Sequence, residues 1–126
     1  MRQTIKLLLL LTFTSAGLCV SAQLGASLST CMASHPQGSL SQGSNNNTVL
    51  TWADAQQLHV FTFKNDTCIK IEFIVTWQQG LNEIEAYNSF CKPLGHNRWR
   101  DVIIPALITL KFYEAENIAI ITFTQP

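Results

Sequence analysis

The segment HVFTFKNDTCIKIEF, residues 59–73, holds two runs of β-formers around a polar break. The first run alternates His59, Phe61 and Phe63 with Leu58, Val60 and Thr62. The second, carried on through residues 67–77, alternates Ile69, Ile71, Phe73 and Val75 with Cys68, Lys70, Glu72 and Ile74. Successive side chains of a strand point to opposite faces, so the length of the turn decides which sets meet. A two-residue turn at Asn65-Asp66 sets Phe63 opposite Cys68 and Phe61 opposite Lys70. A three-residue turn, Lys64-Asn65-Asp66, sets Phe63 opposite Thr67, Phe61 opposite Ile69 and His59 opposite Ile71. This second register gathers Phe61, Phe63, Ile69, Ile71, Phe73 and Val75 on one face and keeps charge away from the rings. It is the expected one, at the cost of a left-handed Asp66, which Asp tolerates better than most residues. It sends Cys68 to the other face, with Lys70 and Glu72.

Around this hairpin the rest of the chain falls into place. Ser27 is an N-cap for a short helix over 27–34 in which Leu28, Cys31 and Met32 share a side, and Pro36 ends it. The stretch QGSLSQGSNNN, residues 37–47, reads as a polar surface loop. TVLTWA, 48–53, is a strand. GLNEIEAYNSFC, 80–91, is a second helix with Leu81, Ile84, Tyr87 or Asn88, and Cys91 on its apolar stripe, opened by Gly80 and closed by Pro93. NRWRDV, 97–102, is a short strand. LITLKFYEAENIAIITFT, 107–124, is a final hairpin turning near Ala115-Glu116-Asn117. No internal repeat is visible in the sequence. The expected fold is α+β: a two-layer sandwich with an antiparallel sheet of five to six strands and two helices on one face, in the order α-β-β-β-α-β-β-β.

Residues 1–22 carry the pattern of an export signal. Arg2 and Lys6 precede the apolar run LLLLLTFTSAGLCV, and Val20-Ser21-Ala22 supplies small residues for cleavage before Gln23. The apolar run is shorter than the ~20 residues a membrane span needs. Residues 23–126 then form a single domain, secreted or periplasmic, with no stable membrane span. Leu18 stands where lipidation of Cys19 would need a small residue. From Gln23 onward there are six basic and eight acidic residues, a net charge of −2. On that count no polybasic surface is expected and nucleic acid is not an expected partner.

Cys31, Cys68 and Cys91 remain after the signal. With both helices over one face, Cys31–Cys91 is the first expectation for a disulfide; Cys68–Cys91 or no disulfide are the alternatives. Cys31 and His35 lie one helical turn apart, the spacing of a thiol–imidazole pair, but the sequence supplies no orienting third group or oxyanion hole. The cysteines and histidines lack the close paired spacing of a structural zinc site, so no metal and no cofactor are expected. Arg98-Trp99-Arg100 is the candidate partner surface, an aromatic between two guanidiniums; strand alternation turns the two arginines one way and Trp99 the other, and the preferred reading puts Trp99 in the core with both arginines solvated. Asn46 and Asn65 head glycosylation triplets that matter only in a eukaryotic secretory route.

The order of LGASLSTCMASHP followed by the hairpin FTFKNDTCIKIEF resembles the α-β-β element of small exported bacterial envelope proteins. These are the outer-membrane assembly lipoproteins of the BamE (SmpA/OmlA) group and the β-lactamase-inhibitor-like proteins. This chain has Asp66 where Gly is usual in that element. The resemblance implies an extracytoplasmic, non-catalytic role and carries over no functional residue. The expected function is therefore an exported binding or envelope-accessory module that engages another exported or envelope protein. The alternatives are a small thiol-dependent hydrolase using Cys31 and His35, or a small-ligand carrier with its pocket between sheet and helices.

Overall fold

The structure, a computed structural model, describes residues 23–55, 57–103 and 105–126. The expected export signal, residues 1–22, lies outside the described residues. Among those described, the chain forms helix α1 (Leu28–Ser34), strands β1 (Ser39–Gln42), β2 (Thr48–Ala53), β3 (Leu58–Lys64) and β4 (Thr67–Thr76), and helix α2 (Trp77–Phe90). Strands β5 (Lys92–Gly95), β6 (Arg98–Asp101), β7 (Ala106–Tyr113) and β8 (Ile118–Thr124) follow. All eight strands join one antiparallel sheet in the order β1-β2-β3-β4-β8-β7-β6-β5.

This corrects the expected five-to-six-strand sheet and its element order. Two strands were hidden from the sequence pattern, and both are edges. β1 comes from the polar loop 37–47, and all four of its residues are exposed. β5 contains Pro93 and Gly95 and is likewise exposed throughout. A strand with no buried side has no period-2 hydrophobic signal, and Pro is admitted only where a ladder can lack a donor. Short polar edges also discourage a second chain from adding to the sheet.

The architecture repeats although the sequence does not: a helix and a four-stranded meander (α1, β1–β4), then a helix and a four-stranded meander (α2, β5–β8). The halves meet at β4 and β8, where Lys70 faces Thr124 and Thr76 faces Ile118. No helix of the described residues is long and apolar enough to cross a membrane.

The β3–β4 hairpin resolves the register question in an unexpected way. Asn65 and Asp66 both have positive φ (51° and 63°), so the turn has two residues, with Lys64 opposite Thr67 and Phe63 opposite Cys68. The register then shifts: Thr62 faces Lys70 and Phe61 faces Ile71. Ile69 is the extra residue of a β-bulge, which returns the apolar residues beyond it to the ring face. The three-residue turn is thus corrected, and so is the placement of Cys68: it is fully buried on the same face as Phe61, Phe63, Ile71, Phe73 and Val75.

One core row crosses six strands: Leu50, Phe61, Ile71, Phe123, Ile108 and Trp99 stand side by side. Each is almost wholly buried. Side chains of this kind contribute about 1.5–3 kcal/mol each on burial. Both helices cover this face. Ser27 caps α1 by accepting from the Thr30 N–H at 3.2 Å, while the Leu28 N–H donates to Asp66 Oδ1 at 3.1 Å. Backbone bonds between Cys68 and residues 25 and 26 complete the tie between α1 and the hairpin. α2 begins at Trp77, not Gly80, because Thr76 caps it by accepting from the Gln79 N–H at 3.2 Å. Gly80 instead lies inside the helix, where a Cβ would stand 2.6 Å from Ala119 Cβ and 2.9 Å from Phe112 Cε1. Its lack of a side chain lets α2 settle onto β7 and β8.

Candidate binding face

Among the described residues neither α1 nor α2 lies over the opposite face of the sheet, which is bordered at one corner by the short 3-10 turn Ser44–Asn46. Its central row runs Thr51, Val60, Glu72, Thr122, Thr109, Arg98. The row on one side is Val49, Thr62, Lys70, Thr124, Leu107, Arg100, Lys92. The row on the other is Leu58, Ile74, Ile120, Lys111. Val60, Ile74 and Ile120 are half-buried. Val102 and Ile103, in the turn between β6 and β7, are 67% and 74% exposed, an apolar tip beside Arg100.

Only 13% of the chain is charged, so the position of each charge matters. Strand alternation puts Lys64, Lys70, Lys92, Arg98, Arg100 and Lys111 on this open face, which is every lysine and arginine among the described residues. Glu72 is the one strand carboxylate that joins them, 3.5 Å from Lys70. Asp66 is turned to α1, Glu83 and Glu85 lie on α2, and Glu114 and Glu116 lie in the β7–β8 turn. A net charge of −2 conceals this segregation because a sum carries no information about faces. A hollow of about 370 Å³ lies on the same face, between the β1–β2 loop and the sheet, with Asn47, Val60, Thr62, Ile69, Lys70 and Glu72 among its lining.

The candidate triplet Arg98-Trp99-Arg100 divides across the sheet. Arg98 and Arg100 are exposed on the open face. Trp99 is 2% exposed in the core, packs on Tyr87 with ring centroids 5.2 Å apart, and donates its indole N–H to Asn88 Oδ1 at 2.8 Å. Trp99 therefore drops out of the partner surface, and the arginines remain.

The structure does not pair Cys31 with Cys91; all three cysteines are free thiols. Cys31 lies near Cys68, and both are fully buried in one cluster. Burial pushes the Cys68 thiol up to about 12, with the nearby Cys31 adding to the shift and the bond to the Lys70 carbonyl opposing it. Burial likewise raises the Cys31 thiol. Cys91, at the end of α2, is pushed up to about 11 by burial and by Asp101. A thiol nucleophile needs the opposite shift.

His35 is not engaged as a base to Cys31. Its ring stacks on Trp52 with centroids 4.0 Å apart, and its Nε2 meets the Gln23 side chain at about 3 Å. His59 also stacks on this indole at 4.6 Å and bonds Asp54 at 2.8 Å. The two imidazoles and the indole lie on the helix side of the sheet. Among the described residues no three His, Cys, Asp or Glu side chains converge as a metal site. A scan against known protein families, a search of curated proteins and a search of solved structures each find no match to this chain.

Proposed function

We propose that the chain is a non-catalytic binding module of the exported or envelope compartment that engages another protein through the open face of its sheet. The observation that carries this reading is the one-sided cover. Both helices lie on one face, while the other keeps Val60, Ile74 and Ile120 in a continuous apolar patch with polar residues around it. An apolar centre inside a polar rim is the anatomy of protein–protein interfaces. The apolar leader at residues 1–22 and the resemblance of the α1–hairpin element to envelope and inhibitor-like proteins favour the same compartment and role. The inertness expected of buried, raised thiols counts against the hydrolase alternative.

The test is site-specific photo-crosslinking of the mature protein in the exported-protein fraction of its source. A benzophenone side chain replaces Thr122, on the open face, or Asn82, on the exposed side of α2. Discrete protein adducts from position 122 and none from 82 are expected. Adducts from 82 alone, or from neither position, would remove the reading.

A further inference from the structure

The segregation of charge carries the open face one step further, and this step rests on that face being the one used. We infer that the partner presents an acidic protein surface, with carboxylates set beside an apolar contact.

The cations are not spread evenly. Lys92, Arg98, Arg100 and Lys111 occupy β5, β6 and β7, while the apolar residues Val60, Ile74 and Ile120 occupy β3, β4 and β8. Lys64 and Lys70 lie on β3 and β4, so one half of the face is mainly cationic and the other is an apolar group flanked by two lysines. Arg98 and Arg100 point the same way from one short strand, two guanidinium forks that match carboxylates bidentately. Lys111 sits over the Tyr113 ring at 5.6 Å and directly beside Ile120, where the two halves meet. Such an arrangement gives orientation and encounter rate as well as affinity.

A polyphosphate fits less well. Nucleic-acid interfaces are strongly positive across their area, whereas here the central row carries Glu72 between Val60 and Thr122.

Titration of the mature chain with fluorescent poly-L-glutamate tests the inference, alongside a mixed-sequence single-stranded oligonucleotide and vesicles containing an anionic phospholipid. Poly-L-glutamate is expected to bind at low ionic strength and to weaken steeply as salt rises past ~0.1 M, where the screening length is about 10 Å. Arg98→Gln with Arg100→Gln should weaken it by about tenfold. Gln78→Glu with Asn82→Asp, the same change of net charge placed on α2, should alter it by less than about twofold. Equal losses in both double variants, no binding of poly-L-glutamate, or tighter binding of the oligonucleotide or vesicles would each overturn the inference. Crosslinking from position 122 does not depend on charge. Adducts there without poly-L-glutamate binding leave the face in use and remove only its acidic partner; adducts from 82 alone remove the face itself.

Discussion

Phe63 stands directly opposite Cys68, while one residue further along β3 Thr62 stands opposite Lys70. The single residue gained, Ile69, reconciles a tight two-residue turn with an apolar face on both strands. Deleting Ile69 should therefore preserve every pair on either side of the bulge and cost no more than about 3 kcal/mol, the ordinary range for a single change. Deleting Glu72 removes the same number of residues but forces either Lys70 into the core or Phe73 out of it, and should abolish folding. Near-ultraviolet circular dichroism of the two deletion variants checks the contrast.

Gly80→Ala should destabilise the protein by about 1–3 kcal/mol, because the new methyl group meets Ala119 Cβ and the Phe112 ring in a close-packed layer. Helix propensity alone forecasts a gain of ~1 kcal/mol, so the sign of the effect decides which term wins. Adding Ala119→Gly should recover part of the loss in urea denaturation.

Within the triplet Arg98-Trp99-Arg100, the tryptophan and the two arginines should behave oppositely in stability. Trp99→Ala empties a buried site and orphans the Asn88 contact, for an expected loss of about 3–5 kcal/mol. Arg98→Ala and Arg100→Ala should each stay within about 0.5 kcal/mol of the parent. Equilibrium unfolding of the three variants settles the comparison.

Acid should weaken the fold through His35. Burial, and then the neighbouring His59, lower its pKa in the folded state. The unfolded chain therefore binds the proton more readily. The neutral ring's contribution is fully present above the ordinary histidine value near 6.5 and is lost as pH falls from there through the lowered folded value. The urea midpoint should drop between pH 8 and pH 5, and His35→Phe, which keeps a ring on Trp52, should flatten part of that slope.

In the reduced native protein, iodoacetamide at pH 8 should modify Cys91 first and leave Cys31 and Cys68 nearly untouched, since only Cys91 is partly exposed. Denaturant should bring all three to similar rates. Rapid native labelling of Cys31 would revive the thiol-hydrolase alternative.

Much of this molecule was legible in its sequence wherever a side chain had to choose between water and the core. The helix over 28–34 with its Ser27 cap, and the strands at 48–53 and 67–76, follow from cap chemistry and alternation. The edge strands β1 and β5 make no such choice, and the bulge at Ile69 changes a face without changing composition. The cationic face was visible in principle: Lys70, Arg98, Arg100 and Lys111 all hold the polar phase of their strands. Recognising that these phases share one side required the pairing order of strands far apart in the chain. Tertiary pairing likewise brought Cys31 to Cys68, whereas alternation alone already pointed Trp99 to the core and its two arginines to solvent.

The most direct test of the two-faced sheet is methyl relaxation by a soluble, negatively charged gadolinium chelate. The methyl signals of Val60, Ile74 and Ile120 should broaden strongly, drawn out by exposure and by the cations around them. Those of Leu50, Ile71, Ile108 and Ile121 should stay sharp. Equal protection of Ile120 and its neighbour Ile121 would contradict the open cationic face and everything proposed to bind it.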